Sequence, residues 1–214
     1  MIIADSVDTR QRAAKVIAQG GVLAFRTDTF YGLGANPFDE RALRRLNQLK
    51  GREAKPILVI ISDAAQATRF IQPKSILFEA LAARYWPGAL TIVEQAHPEL
   101  FDELTAGTKT IGVRLPFDER VREFVQACGG ALTATSANLT GTMPARTAHE
   151  VAQAFSNELD LIVDSGTARG EKPSTVIDVS SGHARLMREG AVSSGELEET
   201  LGSIGVELKK KDEA

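Results

Sequence analysis

Ile57-Leu58-Val59-Ile60-Ile61 is an unbroken run of five apolar residues. A continuous run of this kind suits a central strand covered on both faces, and it is far too short to cross a bilayer. Upstream, Asp39 to Leu49 reads as a helix with Leu43, Leu46 and Leu49 on one face and arginines on the other. Further upstream, Asp8 to Gln19 is an amphipathic helix stopped by Gly20-Gly21, and Val22 to Phe25 is a short apolar strand. Downstream, Ser75 to Tyr85, Asp118 to Cys128, Thr147 to Phe155 and Ser194 to Leu201 are predicted helices, with Thr147 and Glu150 forming a capping box. Leu90 to Val93, Thr110 to Leu115, Ala131 to Ala134, Leu161 to Val163, Thr175 to Val179 and Arg185 to Met187 are predicted strands. The last two are joined too tightly for a helical crossover, so the sheet must be mixed. The alternation of helices and strands points to one α/β domain over residues 1–200, with 201–214 a frayed, solvated tail.

The chain has 214 residues, enough for one substantial core, with 43% hydrophobic and 25% charged residues, as in ordinary globular proteins. Asp5 and Asp8 interrupt the N-terminal stretch, which carries no basic segment followed by an apolar one. A cytoplasmic location is the expectation, with no membrane partner. Cys128, the single cysteine, rules out an internal disulfide and cysteine-based zinc, and reads as a half-buried structural thiol. His97, His149 and His183 lack ligand spacing, so no protein-held metal is expected. The net charge of −3 argues against general nucleic-acid coating. Locally the balance reverses: Arg41, Arg44, Arg45, Lys50, Arg52 and Lys55 stand against one acid, Glu53.

The chemistry concentrates at strand and loop ends. Phosphate motifs of the G-x-x-x-x-G-K-S/T and G-x-G-x-x-G types are absent, so a nucleotide site here would be of another kind. Thr27 to Gly34, read as a polar, glycine-bearing loop, is either an anion cradle or an ordinary turn. Lys50 and Arg52 flank Gly51 at a helix exit, where they converge on a polyphosphate or form a solvated basic helix end. Arg114 closes a buried strand, and its partner is a structural carboxylate or a substrate. Ser136 and Asn138 lie in a turn rich in small polar groups that reads an amino acid or a ribose, or satisfies itself. Ser174 and Arg188 repeat the theme at later strand ends. Paired carboxylates and a serine–histidine–acid set do not emerge, so the chemistry indicated is clamping and positioning.

Taken in order, these motifs resemble those of the YrdC/TsaC family of threonylcarbamoyl-AMP synthases over roughly Val7 to Gly190. They are Thr27-Asp28-Thr29-x-Tyr31-Gly32-Leu33-Gly34, Lys50-x-Arg52, Trp86-Pro87-Gly88, Gly112-Val113-Arg114-Leu115-Pro116, Ser136-Ala137-Asn138, Ser174-Thr175-Val176 and Arg188-x-Gly190. The resemblance implies an α/β fold with a twisted mixed sheet and a basic concave face. It implies conversion of ATP, L-threonine and bicarbonate to threonylcarbamoyl-adenylate and pyrophosphate, with Mg²⁺ accompanying ATP. A separate transferase complex would then modify tRNA. It assigns Lys50 and Arg52 to catalysis, and Thr29, Arg114 and Ser174 to threonine. It assigns Lys50, Arg52, Lys55, Thr110, Ser136, Asn138 and Arg188 to ATP. The sequence departs from the family pattern at Arg26, Ala89 and Thr135, where proline is common, and at Ile60, where some relatives have histidine. The competing expectations are an RNA-binding module using the basic patch for a tRNA contact, and a paralogue with other carbamoyl chemistry.

Overall fold

The computed structural model describes residues 1–51, 55–139, 141–155 and 157–210. Its helices begin where short polar side chains satisfy the free N–H groups of a first turn. Ser6 opens α1 (Val7–Ala18), Asp39 opens α2 (Glu40–Leu49) and Ser75 opens α3 (Ile76–Tyr85). The four-residue α4 (Asp102–Thr105) has no such cap. Asp118 opens α5 (Glu119–Ala127). At α6 (Ala148–Phe155) the Thr147 hydroxyl accepts the Glu150 N–H at 3.2 Å while the Glu150 carboxylate accepts the Thr147 N–H at 3.3 Å, the predicted reciprocal cap. Ser193 and Glu196 repeat that arrangement at α7 (Ser194–Gly202).

The strands are β1 (Ile2–Ala4), β2 (Leu23–Arg26), β3 (Tyr31–Gly34), β4 (Val59–Ile61), β5 (Leu90–Gln95) and β6 (Thr110–Arg114). They continue with β7 (Ala131–Thr133), β8 (Thr135–Ser136), β9 (Leu161–Asp164), β10 (Thr175–Asp178), β11 (Ala184–Arg188) and β12 (Leu208–Lys210). The expected mixed sheet is present as two hydrogen-bonded sets, ordered β1-β9-β2-β3-β8 and β12-β11-β10-β5-β6-β4-β7. Both sets combine parallel and antiparallel pairs. The chain passes from one sheet to the other at Ala134. Thr133 pairs with Val59 in the larger sheet, and Thr135 pairs with Leu33 in the smaller.

Three differences from the sequence reading have physical causes. β3 lies inside the segment read as a loop, because Tyr-Gly-Leu-Gly lacks strand propensity. Its glycines are there for space, since a Cβ on Gly34 would sit 2.8 Å from the Phe25 ring edge. β1 and α4 are too short to show a period. Finally, Leu208–Lys210, expected as frayed tail, pairs in parallel with β11 because Leu208 is buried against the core; residues 211–214 lie outside the described ones.

The core has two parts. The larger runs between the sheets and under α2, α3, α6 and α7. The smaller packs α1 and α5 against the strands, with Phe25 and Phe124 stacked at 5.3 Å between ring centres. Rings so placed add roughly 0.5–1.5 kcal/mol beyond the area they bury. Together they hold the ends of β2, β4, β6 and β8 around one hollow.

Candidate functional site

The hollow is a cavity of about 400 Å³, within the range of small-ligand pockets. One wall is the tight turn between β2 and β3. The buried Thr27 hydroxyl donates to Phe30 O at 2.7 Å and accepts the Thr29 N–H at 3.2 Å, which holds the Thr29 hydroxyl 3.1 Å away. Tyr31 also lines the cavity. Its hydroxyl donates to Gly166 O at 2.8 Å, and burial followed by the nearby Asp164 charge pushes its pKa up to about 12. It therefore stays a neutral donor and no base at ordinary pH.

The opposite wall carries two arginines. Arg114 closes β6, buried, with Nη1 2.8 Å from Asp28 Oδ1, so its partner in the fold is the carboxylate between the two threonines. Arg188 reaches in from β11. Its guanidinium donates to Ser174 O at 2.8 and 3.2 Å and to the Ser174 hydroxyl at 3.2 Å, which lies 2.9 Å from the Thr91 hydroxyl. These acceptors are neutral. Burial and then the like charge of Arg114 lower the Arg188 pKa from its ordinary value, so the two guanidiniums share one field. Two arginines lining the hollow, Arg114 paired with Asp28 and Arg188 with neutral acceptors only, make that side a receptor for anions. Gly190, two residues beyond Arg188, lets this strand end close, because a Cβ there would be 2.2 Å from Pro173 O.

Lys50 ends α2, and its side chain joins the two motifs that lie almost ninety residues apart. The buried ammonium donates to Ser136 O at 2.8 Å, to Asn138 Oδ1 at 3.2 Å and to Asn138 O. The Asn138 amide in turn donates to Thr142 O at 2.6 Å. In this state Lys50 therefore organises the Ser-Ala-Asn turn behind the cavity.

Of the predicted site residues, Thr29, Arg114, Ser136, Ser174 and Arg188 line the cavity. Lys50 and Asn138 stand directly behind Ser136. Lys55 is exposed and lies outside the lining, as does the half-buried Thr110, whose hydroxyl shares a hydrogen bond with Thr108 at the far end of β6. Arg52 lies outside the described residues. Sequence reasoning missed Thr91 and Glu171, both in the lining, because neither sits in a motif with a spacing signal. Arg26, one of the departures from the family pattern, pairs with Asp118 at 2.8 Å. Burial opposes the Asp118 charge, but the Arg26 hydrogen bond and charge outweigh it and hold its pKa below the ordinary value. Ile60 contributes apolar wall, and Thr135 lines the cavity from β8. Trp86 is structural, donating its indole N–H to Leu90 O at 2.8 Å.

Two cations of the basic patch are paired across the fold. Arg44 pairs with Glu40 and Glu103, and Arg45 with Asp160. Among the described residues no group of three or more His, Cys, Asp or Glu is placed to hold a metal, and no helix is long and apolar enough to cross a membrane.

The chain is similar to known proteins over most of its length. The Sua5–YciO–YrdC family model, described as "Telomere recombination", matches residues 15–190. The threonylcarbamoyl-AMP synthase of Pyrococcus abyssi is 35% identical over 91% of this chain and 57% of its own length. That of Chromobacterium violaceum is 36% identical over 84% of this chain and 92% of its own. The crystal structure of P. abyssi Sua5 complexed with L-threonine superposes with a TM-score of 0.89 at 32% identity, covering 97% of this chain and 62% of that one. E. coli YciO shares the fold, with a TM-score of 0.78 at 24% identity over 89% of this chain and 95% of its own. The chain thus spans somewhat over half the length of the archaeal relative and nearly all of the shorter bacterial one. With its motifs assembled around one cavity and a family match over most of its length, the chain belongs to the Sua5–YciO–YrdC family.

Proposed function

We propose that this chain is a threonylcarbamoyl-AMP synthase, forming threonylcarbamoyl-adenylate and pyrophosphate from ATP, L-threonine and bicarbonate. The observation that carries the reading is the convergence of Arg114, Arg188, Thr29 and Ser174 on one cavity beside the turn that Lys50 braces. The free amine of threonine and bicarbonate condense to a carbamate, a C–O bond of bicarbonate breaking as water leaves. One of its oxygens attacks the α-phosphorus of ATP while the bond to the bridging oxygen breaks and pyrophosphate leaves. No protein nucleophile is needed, and neutralisation of the phosphates carries the catalysis. Arg114 with Thr29 and Ser174 holds the amino acid. Ser136, Asn138 and Arg188 face the nucleotide, and Lys50 and Arg52 supply cations to its phosphates. Lys55 and Thr110 would be reached only by parts of ATP extending beyond the cavity. Mg²⁺ enters on the ATP phosphates, which supply its ligands.

The product serves a transferase that modifies tRNA, and the reaction belongs in the cytoplasm. The test is pyrophosphate release by the purified protein with ATP, Mg²⁺ and bicarbonate, with and without L-threonine. Threonine-dependent release is expected; its absence from folded protein would overturn the reading.

A further inference from the structure

Three residues of the cavity lining carry charge: Arg114, Arg188 and Glu171. The two arginines make one side anion-seeking, and Arg188 feels the excess as a lowered pKa. Glu171 is the carboxylate among them. It is solvent-accessible at the rim and has no hydrogen-bond or ion-pair partner among the described residues. Its place is fixed by its neighbour. Gly170 lies against the Thr27–Phe30 turn so closely that a Cβ would come within 2.6 Å of Thr29 Cα and O. That contact fixes the backbone next to Glu171 against the turn, and Ser174, three residues on, is anchored to Thr91 and Arg188. The segment 170–174 thus brings a carboxylate and a hydroxyl to the same cavity.

A free α-amino acid is a zwitterion. Its carboxylate belongs with Arg114, and its ammonium, on leaving water, requires an acceptor of opposite charge. We propose that Glu171 is the residue that holds the substrate ammonium, and so makes the site select amino acids over the corresponding hydroxy acids. This rests on the synthase reading above and adds a specificity residue to it. A site built around a charge-assisted bond rejects analogues that lack the donor. Losing such a bond is worth roughly tenfold to a hundredfold in affinity.

The experiment measures calorimetric binding of L-threonine and of 2,3-dihydroxybutanoate to the wild type, Glu171→Ala and Glu171→Gln, with pyrophosphate release followed in parallel. Expected is a loss of at least about tenfold for threonine in Glu171→Ala, a smaller one in Glu171→Gln, and dihydroxybutanoate affinity unchanged within about twofold. Equal losses for both ligands, no loss, or a loss confined to MgATP would each overturn the proposal. Threonine-dependent pyrophosphate release with unaltered threonine KM in Glu171→Ala would overturn it while leaving the synthase reading intact. Wild-type protein that discriminates through Glu171 yet releases no pyrophosphate would sink the synthase reading alone. Failure of the wild type to bind threonine would sink both.

Discussion

Asp28→Ala isolates the ion pair that positions the first arginine of the cavity. Asp28 and Arg114 are 12% and 6% exposed at the side chain and meet at 2.8 Å, so the pair is desolvated. Removing the carboxylate leaves a guanidinium buried without its counter-charge, a change that typically costs about 3–5 kcal/mol. The Phe117 N–H, 3.3 Å from Asp28 Oδ2, loses an acceptor as well, but Phe117 is exposed and water replaces it at little cost. For a chain of this size about 3 kcal/mol lowers Tm by roughly 6–12 °C. The assay is urea unfolding of Asp28→Ala, Arg114→Met and the double variant. Because deleting both partners removes the orphaned charge, the double variant should be less destabilised than the two singles summed, by about 2 kcal/mol. Additive losses, or less than about 1 kcal/mol for Asp28→Ala, would refute the view that Asp28 holds Arg114 in place.

Lys50→Met keeps the buried stem but removes the ammonium between α2 and the Ser136–Asn138 turn. Steady-state kinetics should show kcat/KM for ATP falling at least about a hundredfold, whereas calorimetry should find threonine affinity little changed; a threonine defect as large as the ATP one would contradict the division of the site. Burial pushes the Cys128 thiol up to about 12. With its folded pKa above the unfolded value of about 8.5, the thiol contributes stability in full below that value and loses it as pH rises toward about 12. Chemical denaturation at rising pH should therefore show the wild type losing more stability than Cys128→Ser above about pH 9, with pyrophosphate release near neutrality unaffected by the substitution.

How far the sequence could be read depends on what each signal rests on. Helix starts were legible because a cap is local: Thr147 and Glu150 announce α6 from three residues apart. Strand ends bearing Arg114, Ser174 and Arg188 were legible because a charge or hydroxyl after an apolar run stands out. What could not be read is pairing. Nothing in Tyr31-Gly32-Leu33-Gly34 announces a strand until Phe25 is known to lie across it. Arg44 and Arg45 look unpaired in the basic run until Glu103 and Asp160, far along the chain, are folded against them. The bond from Lys50 to the Ser-Ala-Asn turn likewise joins segments almost ninety residues apart, which no local signal announces.

The handover between sheets at Ala134 sets the order in which the protein can come into being. Neither sheet is made from one continuous stretch. The smaller takes its strands from residues 2–34, 135–136 and 161–164, and the larger takes the intervening and later ones. A nascent chain that has reached Asn138 holds both threonines and Arg114 but lacks β9, which sits between β1 and β2 and pairs with both. It also lacks β10 and β11, and with them Ser174 and Arg188. Pairing over such sequence separations is slow and comes late. The cavity lining is therefore complete only once the chain has been made nearly to Gly190.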